Sequence, residues 1–406
     1  MRTNRRFVNR IALLASLVVA FTVASSRLEA DPGTCRGVTT ALPFTDVMSR
    51  PFFSQIAAAF SCVLAIATSA TTYSPSQNVP REQIAAFITR TQDSGNKRAA
   101  LRQFWTTTPR YVGASGGLGT TTVGSRPALC ESDGADVWVG NLEGTVSRVR
   151  GSDGKLLETW TGAASAGGVL VAMGRVFVTG GTNPGRLYMI DPTKPAGEAT
   201  EVTSGLGLRP LAIAFDGSRI WTANTGGPPA SPGKGSVSII TPKMTTPWSV
   251  TSVSAGLSNP EGILFDGSNV WVTDAFASTL LKLDGNGAIL QTVPVGAAPS
   301  LPAFDGTNIW VPNINNSTVS VVRAATGAVV ATLTGNGLFG PIQAAFDGQR
   351  ILVTNGPTGS VSVWNAADLS PIGHFDTGPD TSPAGACSDG TYFWITLNGT
   401  HQLARF

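Results

Sequence analysis

A repeated stretch built around an Asp-Gly pair constrains the fold of this chain more than any other feature. Its clearest copy reads ILFDGSNVWVTD at residues 263–274 and follows Pro260. In a second form of the repeat, Gly167 stands six residues before Met173-Gly174. In the other copies a Pro stands six residues before Asp-Gly, at Pro127, Pro210, Pro260, Pro299, Pro341 and Pro383. Seven copies at spacings of 39 to 50 residues predict a repeat architecture.

Each copy is typical of two short strands joined by a turn. Asp-Gly favours the positive φ angles of a tight hairpin, so we expect it to set the register of both strands. Two further strand-like segments follow, which in the Pro260 copy are residues 278–284 and 289–296. Four strands in about 42 residues are typical of a β-propeller blade. The chain is therefore predicted to form an all-β seven-bladed β-propeller over residues 111–406.

The two ends of the repeat region indicate how the ring closes. The last copy stops at Phe406 after three strands. Segment 118–124, LGTTTVG, lies before the first copy and ends in Gly, as the fourth strands of the other copies do. We therefore expect residues 118–124 to supply the outer strand of blade seven.

An aromatic residue recurs at one position of the second strand. It is present in six copies, at Trp138, Phe177, Trp221, Trp271, Trp310 and Trp394, and the remaining copy has Leu352 there. A ring that recurs at one strand position is typical of packing between neighbouring sheets. We expect these residues to form the core rather than to stack on a ligand.

Polar residues at the end of the second strand are candidates for ligand binding. They follow the turn Asp by eight residues and are Asn141, Asn224, Asp274, Asn313 and Asn355. A ring of amide and carboxylate groups on this face could bind sugar hydroxyls or calcium. The alternative is turn chemistry, because Asn and Asp hydrogen-bond backbone groups in tight turns. Lys234, the one charge in the irregular loop 224–236, is a further binding candidate.

The four cysteines have no spacing that indicates a metal site. Cys130 and Cys387 fall on the first strands of blades one and seven, which are neighbours only in a closed ring. They are candidates for a disulfide, and two buried thiols are the alternative. Cys35 and Cys62 are a second candidate pair in the N-terminal region.

The first thirty residues have the features of a secretory signal peptide. An Arg-rich start precedes an apolar stretch over residues 11–24 and then small residues. Removing this segment, which holds five Arg and one Glu, changes the net charge from +3 to −1. We therefore expect an exported protein with no nucleic-acid partner and no transmembrane span after signal removal. A retained N-terminal anchor is the alternative.

Residues 41–100 have helical rather than strand periodicity. Segment 80–91 starts with Pro80 and places Ile84, Phe87 and Ile88 on one face, as in an amphipathic helix. Together with the apolar segment 51–67, it predicts a small α-helical module.

The sequences LPFTDV and TTYSPSQNVPREQIAAFITR of this module resemble one S-layer homology (SLH) module. The matching residues are Phe44, Asp46, Tyr73, Pro75, Val79, Arg81, Glu82, Ala85, Ala86 and Arg90. The resemblance implies attachment to cell-wall or envelope polysaccharide, with Arg81, Glu82 and Asp46 as the glycan-binding residues. Such modules usually work in threes, so a single copy is compatible with a trimer. The alternative is that Arg81 and Glu82 only occupy the start of a surface helix.

Residues 118–406 resemble YVTN-type and NHL-type propellers, as IWVPN (309–313) and ILVTN (351–355) illustrate. The resemblance implies the fold more than a function. We expect an exported cell-envelope or surface protein whose propeller is a binding or interaction scaffold, with other surface proteins as candidate partners. The expected cofactor is none, with calcium as the one candidate.

The alternative is a hydrolase or lyase of the streptogramin-lyase-like or lactonase-like type, because the stretch at Pro260 resembles that of streptogramin lyases. Streptogramin lyases use a metal and histidines near the propeller axis. Here His374 is predicted in an outer strand and His401 in a third strand, away from the axis.

Overall fold

The computed structural model describes residues 119–226 and 235–406, and the backbone of two short paired strands, β1 (Thr34–Cys35) and β2 (Val38–Thr39). The chain divides into two units, Met1–Asn78 and Val79–Phe406, and the propeller belongs to the second. The predictions for the signal peptide and the SLH-like module concern residues outside the described ones. In the described part of the chain, no helix has the length and apolar character needed to cross a membrane.

Seven antiparallel sheets of four strands form the propeller and confirm the predicted fold class. Blade one consists of β4 (Pro127–Ser132), β5 (Asp136–Asn141), β6 (Thr145–Arg150) and β7 (Leu156–Trp160). Blade two consists of β8 (Ala166–Ala172), β9 (Arg175–Gly180), β10 (Gly185–Ile190) and β11 (Thr200–Leu206). Blade three consists of β12 (Pro210–Phe215), β13 (Ile220–Asn224), β14 (Ser236–Thr241) and β15 (Ser249–Val253). Blade four consists of β16 (Pro260–Phe265), β17 (Val270–Asp274), β18 (Thr279–Leu283) and β19 (Ile289–Pro294).

The remaining blades complete the ring. Blade five consists of β20 (Ala303–Phe304), β21 (Asn308–Asn313), β22 (Thr318–Arg323) and β23 (Val329–Leu333). Blade six consists of β24 (Pro341–Phe346), β25 (Arg350–Asn355), β26 (Ser360–Asn365) and β27 (Pro371–Asp376). Blade seven consists of β28 (Pro383–Ser388), β29 (Phe393–Leu397), β30 (Gln402–Arg405) and β3 (Thr120–Thr122). First strands of neighbouring blades contact one another around the axis, including β28 and β4.

Blade seven is closed by the strand that precedes blade one. β3 pairs antiparallel with β30, in a register that places Thr121 opposite Leu403. Thr396 Oγ1 donates a hydrogen bond of 2.5 Å to the carbonyl oxygen of Ala128, which joins the second strand of blade seven to the inner strand of blade one. A disulfide links Cys130 to Cys387, with Cα atoms 5.7 Å apart across 257 residues of sequence. Of the two alternatives for these cysteines, the structure contains the disulfide.

The recurrent aromatic residues fill the spaces between blades, as expected. Trp138, Trp221, Trp271, Trp310, Trp394 and Leu352 have 0% of their surface exposed, and Phe177 has 1%. Each indole Nε1 also donates a hydrogen bond of 2.7–2.9 Å to Oδ2 of the turn Asp five residues earlier. In blade six, where Leu352 has no such donor, Arg350 Nε donates to Asp347 Oδ2 at 2.7 Å instead.

The Asp-Gly turns differ from the predicted tight hairpin. In the Asp266 turn only Gly267 has a positive φ, of 95°. Asp266 acts through its side chain, because Oδ1 accepts the backbone N–H groups of Ser268 and Asn269. Two consecutive positive φ angles, 52° and 69°, occur instead at Met173 and Gly174 in blade two, where Ala172 pairs with Arg175. The prediction was wrong in this detail, since the Asp carboxylate and not its φ angle shapes the turn.

The inner strand of blade five pairs with the second strand of its own sheet and also with the inner strand of blade six. Pro302 has no N–H to donate to the ladder, so β20 is reduced to two residues. Leu301 N donates to the carbonyl of Ile342 at 3.1 Å, and Ala344 N donates to Leu301 O at 3.0 Å. Leu301 also belongs to the same hydrophobic cluster as Leu129 of blade one, on the opposite side of the axis.

Candidate functional site

The five polar residues at the ends of the second strands are buried, with 0% exposure each. Asn313 Nδ2 donates to Thr318 Oγ1 and to Ser320 Oγ, both at 3.0 Å. The equivalent bonds, from Asn141, Asn224 and Asn355 to Ser or Thr of the third strand, recur in blades one, three and six. This geometry favours a structural role, although the partners are third-strand hydroxyls rather than the residue's own turn.

In blade four, the polar residue at the end of the second strand and its hydrogen-bond partners both differ from those of the other blades. Asp274 stands where the other blades have Asn, and Leu281 stands at the place that Ser320 takes in blade five. The Asp274 carboxylate accepts N–H groups from Ser258 at 2.6 Å, and from Asn259 and Ala277 at 3.1 Å. The carboxylate therefore stabilises the backbone of the segment that connects blades three and four. Lys234, the remaining binding candidate of this group, lies outside the described residues.

A cavity of about 260 Å³ lies on the propeller axis and is lined by the inner strands of all seven blades. Its wall is mostly apolar and includes Leu129, Val169, Leu170, Ile213, Leu264, Phe304 and Phe346. The disulfide between Cys130 and Cys387 forms part of the same wall. The polar lining residues include several at the ends of inner strands, among them Glu131, Ser132, Asp347 and Ser388.

Neighbouring blades hold the polar groups of this cavity in place. Glu131 Oε2 of blade one accepts the backbone N–H of Val171 in blade two at 2.9 Å. Gln343 Oε1 of blade six accepts the N–H of Ala386 in blade seven at 2.9 Å. Because each bond crosses from one blade to the next, the closed ring fixes these side chains before any ligand arrives.

Glu261 is a second ionisable group of the inner strands. It follows Pro260 at a position where the other copies that begin with Pro have Ala128, Leu211, Ser300, Ile342 and Ala384. Ser300 Oγ of blade five donates to Glu261 Oε1 at 3.1 Å. Burial raises the pKa of the Glu261 carboxyl because it penalises the charged form, and the hydrogen bond from Ser300 acts in the opposite direction.

Gly262 allows blade five to approach Glu261 this closely. A Cβ atom at Gly262 would lie 2.7 Å from the carbonyl oxygen of Ser300. Sequence reasoning missed Glu261, although it belongs to the clearest copy of the repeat. The available signal was a charged residue at a position that is small, hydroxylic or apolar in the other copies.

The histidines lie away from the cavity. His374 is in the outer strand β27, and His401 precedes β30 and accepts the backbone N–H of Arg126 on Nδ1 at 3.0 Å. Among residues 119–226 and 235–406, no three His, Cys, Asp or Glu side chains are grouped so that they could hold a metal ion. The candidate glycan-binding residues Arg81, Glu82 and Asp46, and Cys62, lie outside the described residues, and Cys35 is described only through its backbone.

Solved propellers are similar to this chain in fold. A streptogramin B lyase structure matches with a TM-score of 0.57 and 16% identity, covering 71% of this chain and 96% of that chain. Virginiamycin B lyase from Staphylococcus aureus matches with a TM-score of 0.57 and 15% identity, covering 71% and 98%. The WD40 β-propeller domain of Doa1 matches with a TM-score of 0.57 and 13% identity, covering 71% and 95%. At these identities the likeness concerns the fold alone.

No protein-family model matches the chain, and no curated protein matches it.

Proposed function

We propose that this chain is an exported cell-envelope protein whose SLH-like module attaches it to wall polysaccharide and whose propeller is a binding scaffold. The propeller takes a small ligand in its axial cavity. The observation that carries this proposal is the apolar cavity of about 260 Å³, to which all seven blades contribute wall residues. Concave apolar sites with a few fixed polar groups are the usual form of small-molecule sites.

The repeat itself supports a scaffold with a separate recognition site. Its recurrent polar residues form hydrogen bonds within the blades: Asp266 accepts from Trp271, and Asn313 donates to Ser320. Recognition then depends on residues that occur in one copy only, such as Glu131 and Gln343 in the cavity. A ring that is stabilised by its repeats can vary these positions at little cost to the fold.

Fluorescence of the neutral dye N-phenyl-1-naphthylamine tests the cavity. We expect saturable enhancement with the intact protein, because an apolar bicyclic ring leaves water in the cavity. Ala303→Phe places a ring in the space that Ala303 lines and should abolish the enhancement. Ala277→Phe, at an exposed loop position, is the matched control and should leave it unchanged. Equal enhancement in both variants would place the dye elsewhere and overturn the proposal for the cavity.

Retention on purified wall polysaccharide tests the attachment role. We expect the full chain to bind and Arg81→Ala to lose most of its retention, because an arginine is suited to anionic glycan groups. Arg110→Ala, outside the SLH-like segment, should bind as the unaltered chain does. Retention that is the same in both variants would contradict attachment through Arg81.

A second candidate is a hydrolase or lyase, favoured by the position of Glu261 beside Ser300 and by its raised pKa. A carboxyl with a raised pKa holds its proton more readily and is suited to act as a general acid. A screen of lactone and lyase substrates, with and without divalent metal, should then show turnover that Glu261→Gln abolishes. His374→Ala and His401→Ala are controls that should retain it. Turnover that survives Glu261→Gln would exclude this role for Glu261.

A further inference from the structure

We propose that one end of blades four to six is a binding surface for an uncharged polysaccharide, whose sugar rings stack on Phe276 and Phe339. The surface lies where second strands end and inner strands begin, so it is built from the connections at that end of the blades. It consists of residues 275–278, 295–298, 314–317 and 334–340, here called the Phe276–Phe339 surface. The proposal is independent of the axial cavity and of the SLH-like module.

The Phe276–Phe339 surface carries two exposed aromatic rings. The exposed fraction is 47% for Phe276 and 57% for Phe339, whereas the recurrent aromatic residues of the second strands are fully buried. Among residues 119–226 and 235–406, no other aromatic residue is exposed to this degree. Exposed apolar surface that is grouped in one place is typical of an interaction site.

The repeat does not require a ring at either position. Phe276 stands two residues after the end of its second strand, where the other blades have Glu143, Thr182, Gly226, Asn315, Pro357 and Gly399. Phe339 stands two residues before Pro341, where the other copies that begin with Pro have Ser125, Leu208, Ser258, Ala297 and Thr381. Each ring therefore occurs in one copy only, and the packing of the blades does not account for it.

Buried polar groups hold the two aromatic segments in place. Asp274 Oδ1 accepts the N–H of Ala277, the residue after Phe276, at 3.1 Å. Asn355 Oδ1 accepts the N–H of Phe339 at 3.3 Å. Because Asp274 and Asn355 are fully buried, both segments are attached to the core of their blades, and little ordering is left to occur on binding.

Hydrogen bonds connect the two aromatic segments across blade five. Three bonds of 3.0–3.2 Å link neighbouring segments, from the backbone N–H groups of Val295, Asn315 and Gly340 to Ser278 O, Ala297 O and Ser317 Oγ, respectively. The four segments therefore form one continuous surface. The exposed side-chain amides of Asn315 and Asn316 belong to the turn of blade five, between the two rings.

The Phe276–Phe339 surface has no charged side chain. Its four segments contain no Asp, Glu, Lys, Arg or His. The opposite end of the same blades has charged residues in its connections, among them Asp266, Asp284 and Arg323. A charged partner would lose hydration at this surface without gaining an ion pair, so the charge pattern favours an uncharged one.

Aromatic rings on either side of amide groups suit a chain of neutral sugars. The face of a phenyl ring has partial negative charge and attracts the C–H groups of a pyranose ring that stacks on it. The amides of Asn315 and Asn316 can donate to and accept from sugar hydroxyls. A polysaccharide is long enough to contact two rings that lie in different blades.

Depletion of the full chain from solution by insoluble neutral polysaccharides tests the proposal. The probes are cellulose, chitin and the β-1,3-glucan curdlan. The full chain carries Arg81→Ala throughout, so that retention through the SLH-like module does not contribute. We expect saturable depletion by at least one probe, with an affinity that changes less than about twofold between roughly 0.05 M and 0.5 M NaCl, because screening acts on charges.

Substitutions at the two rings locate the binding. Phe276→Ala and Phe339→Ala should each weaken binding roughly three- to tenfold, which is the effect of losing one aromatic contact. Phe276→Leu and Phe339→Leu should weaken it nearly as much, because leucine is apolar but has no ring to stack on. Met244→Ala removes an exposed residue between β14 and β15, at the opposite end of the propeller, and should bind as the unaltered surface does.

Each contrary outcome overturns the proposal. Absence of depletion by all three probes excludes a neutral polysaccharide. Equal affinity of the Phe and Met244 variants places the sugar elsewhere on the chain. Full binding by the Leu variants with loss in the Ala variants indicates a general apolar contact, as with a protein partner. None of these outcomes bears on the axial cavity, which the dye tests separately.

Discussion

Trp271 Nε1 donates a hydrogen bond of 2.7 Å to Asp266 Oδ2 across the turn that joins the first two strands of blade four. The same carboxylate accepts two backbone N–H groups on Oδ1. One side chain therefore shapes the turn and anchors the fully buried indole that packs in the core between blades. In the five repeats that have both residues, the Asp of the Asp-Gly pair is in this way coupled to the Trp of the same repeat.

Asp266→Ala should destabilise the propeller by about 1–3 kcal/mol, because it leaves the buried Trp271 N–H without its acceptor. Asp266→Asn should cost less, since its amide oxygen can still accept one bond. Lys243→Ala, at an exposed position, is the control. Chemical denaturation measures the change, and a double variant with Trp271→Phe should cost less than the sum of the two single variants. Strict additivity would contradict the coupling.

Asn313→Asp should destabilise blade five by at least about 2 kcal/mol near neutral pH, because a carboxylate would be buried there without compensating N–H donors. Blade four tolerates Asp274 because three backbone N–H groups point at it. Burial should raise the folded-state pKa of the new carboxyl, so the cost should fall at acid pH, where it is protonated in both states. Asn315→Asp, in an exposed loop, is the matched control. Equal stability of the two variants at neutral pH would count against the buried network.

Glu261→Gln should stabilise the protein near neutral pH and have little effect at acid pH. The raised pKa of Glu261 means that the unfolded chain releases this proton first as the pH rises, so the ionised group costs folding free energy. The cost is absent below the ordinary pKa of a carboxyl and complete above the folded-state pKa. Each unit of elevation is worth about 1.4 kcal/mol. Denaturation curves across this range should converge at low pH, and parallel curves would contradict a buried carboxyl.

Repetition made the ring predictable from sequence. The Pro and Asp-Gly positions located six blades, and Gly167 with Met173-Gly174 located blade two. The last copy has three strands, which pointed to the segment before blade one as the fourth, and β3 pairs there with β30. The recurrent aromatic position identified the core for the same reason. Residue positions that recur can be compared across the copies of the repeat. Packing and strand register could therefore be inferred from the sequence.

Residues that occur in one copy could not be interpreted in this way. Pro302 shortens β20 and Gly262 admits the neighbouring strand, but both effects depend on contacts between blades. Glu131 and Glu261 act with partners about forty residues away, Val171 and Ser300, in the next blade. The candidate site is made of such residues, which is why the fold was predicted and the site was not.

The hydrogen bond between the turn Asp and the second-strand Trp could have been predicted from the sequence, but the sequence analysis missed it. Trp occurs in the second strand only where Asp-Gly precedes it, whereas the copy with Met173-Gly174 has Phe177, which needs no acceptor. Spacing alone does not show the direction in which an indole points. The pairing of the two residue types across copies was the signal.

Peptide mapping of the unreduced protein is the most direct test of the closed seven-bladed ring. Closure brings the first strands of blades one and seven together and holds the Cα atoms of Cys130 and Cys387 5.7 Å apart. We predict a single cross-linked pair of peptides that contains these two cysteines. Linkage of either residue to Cys35 or Cys62, or alkylation of both as free thiols after export, would contradict the closed ring with its disulfide.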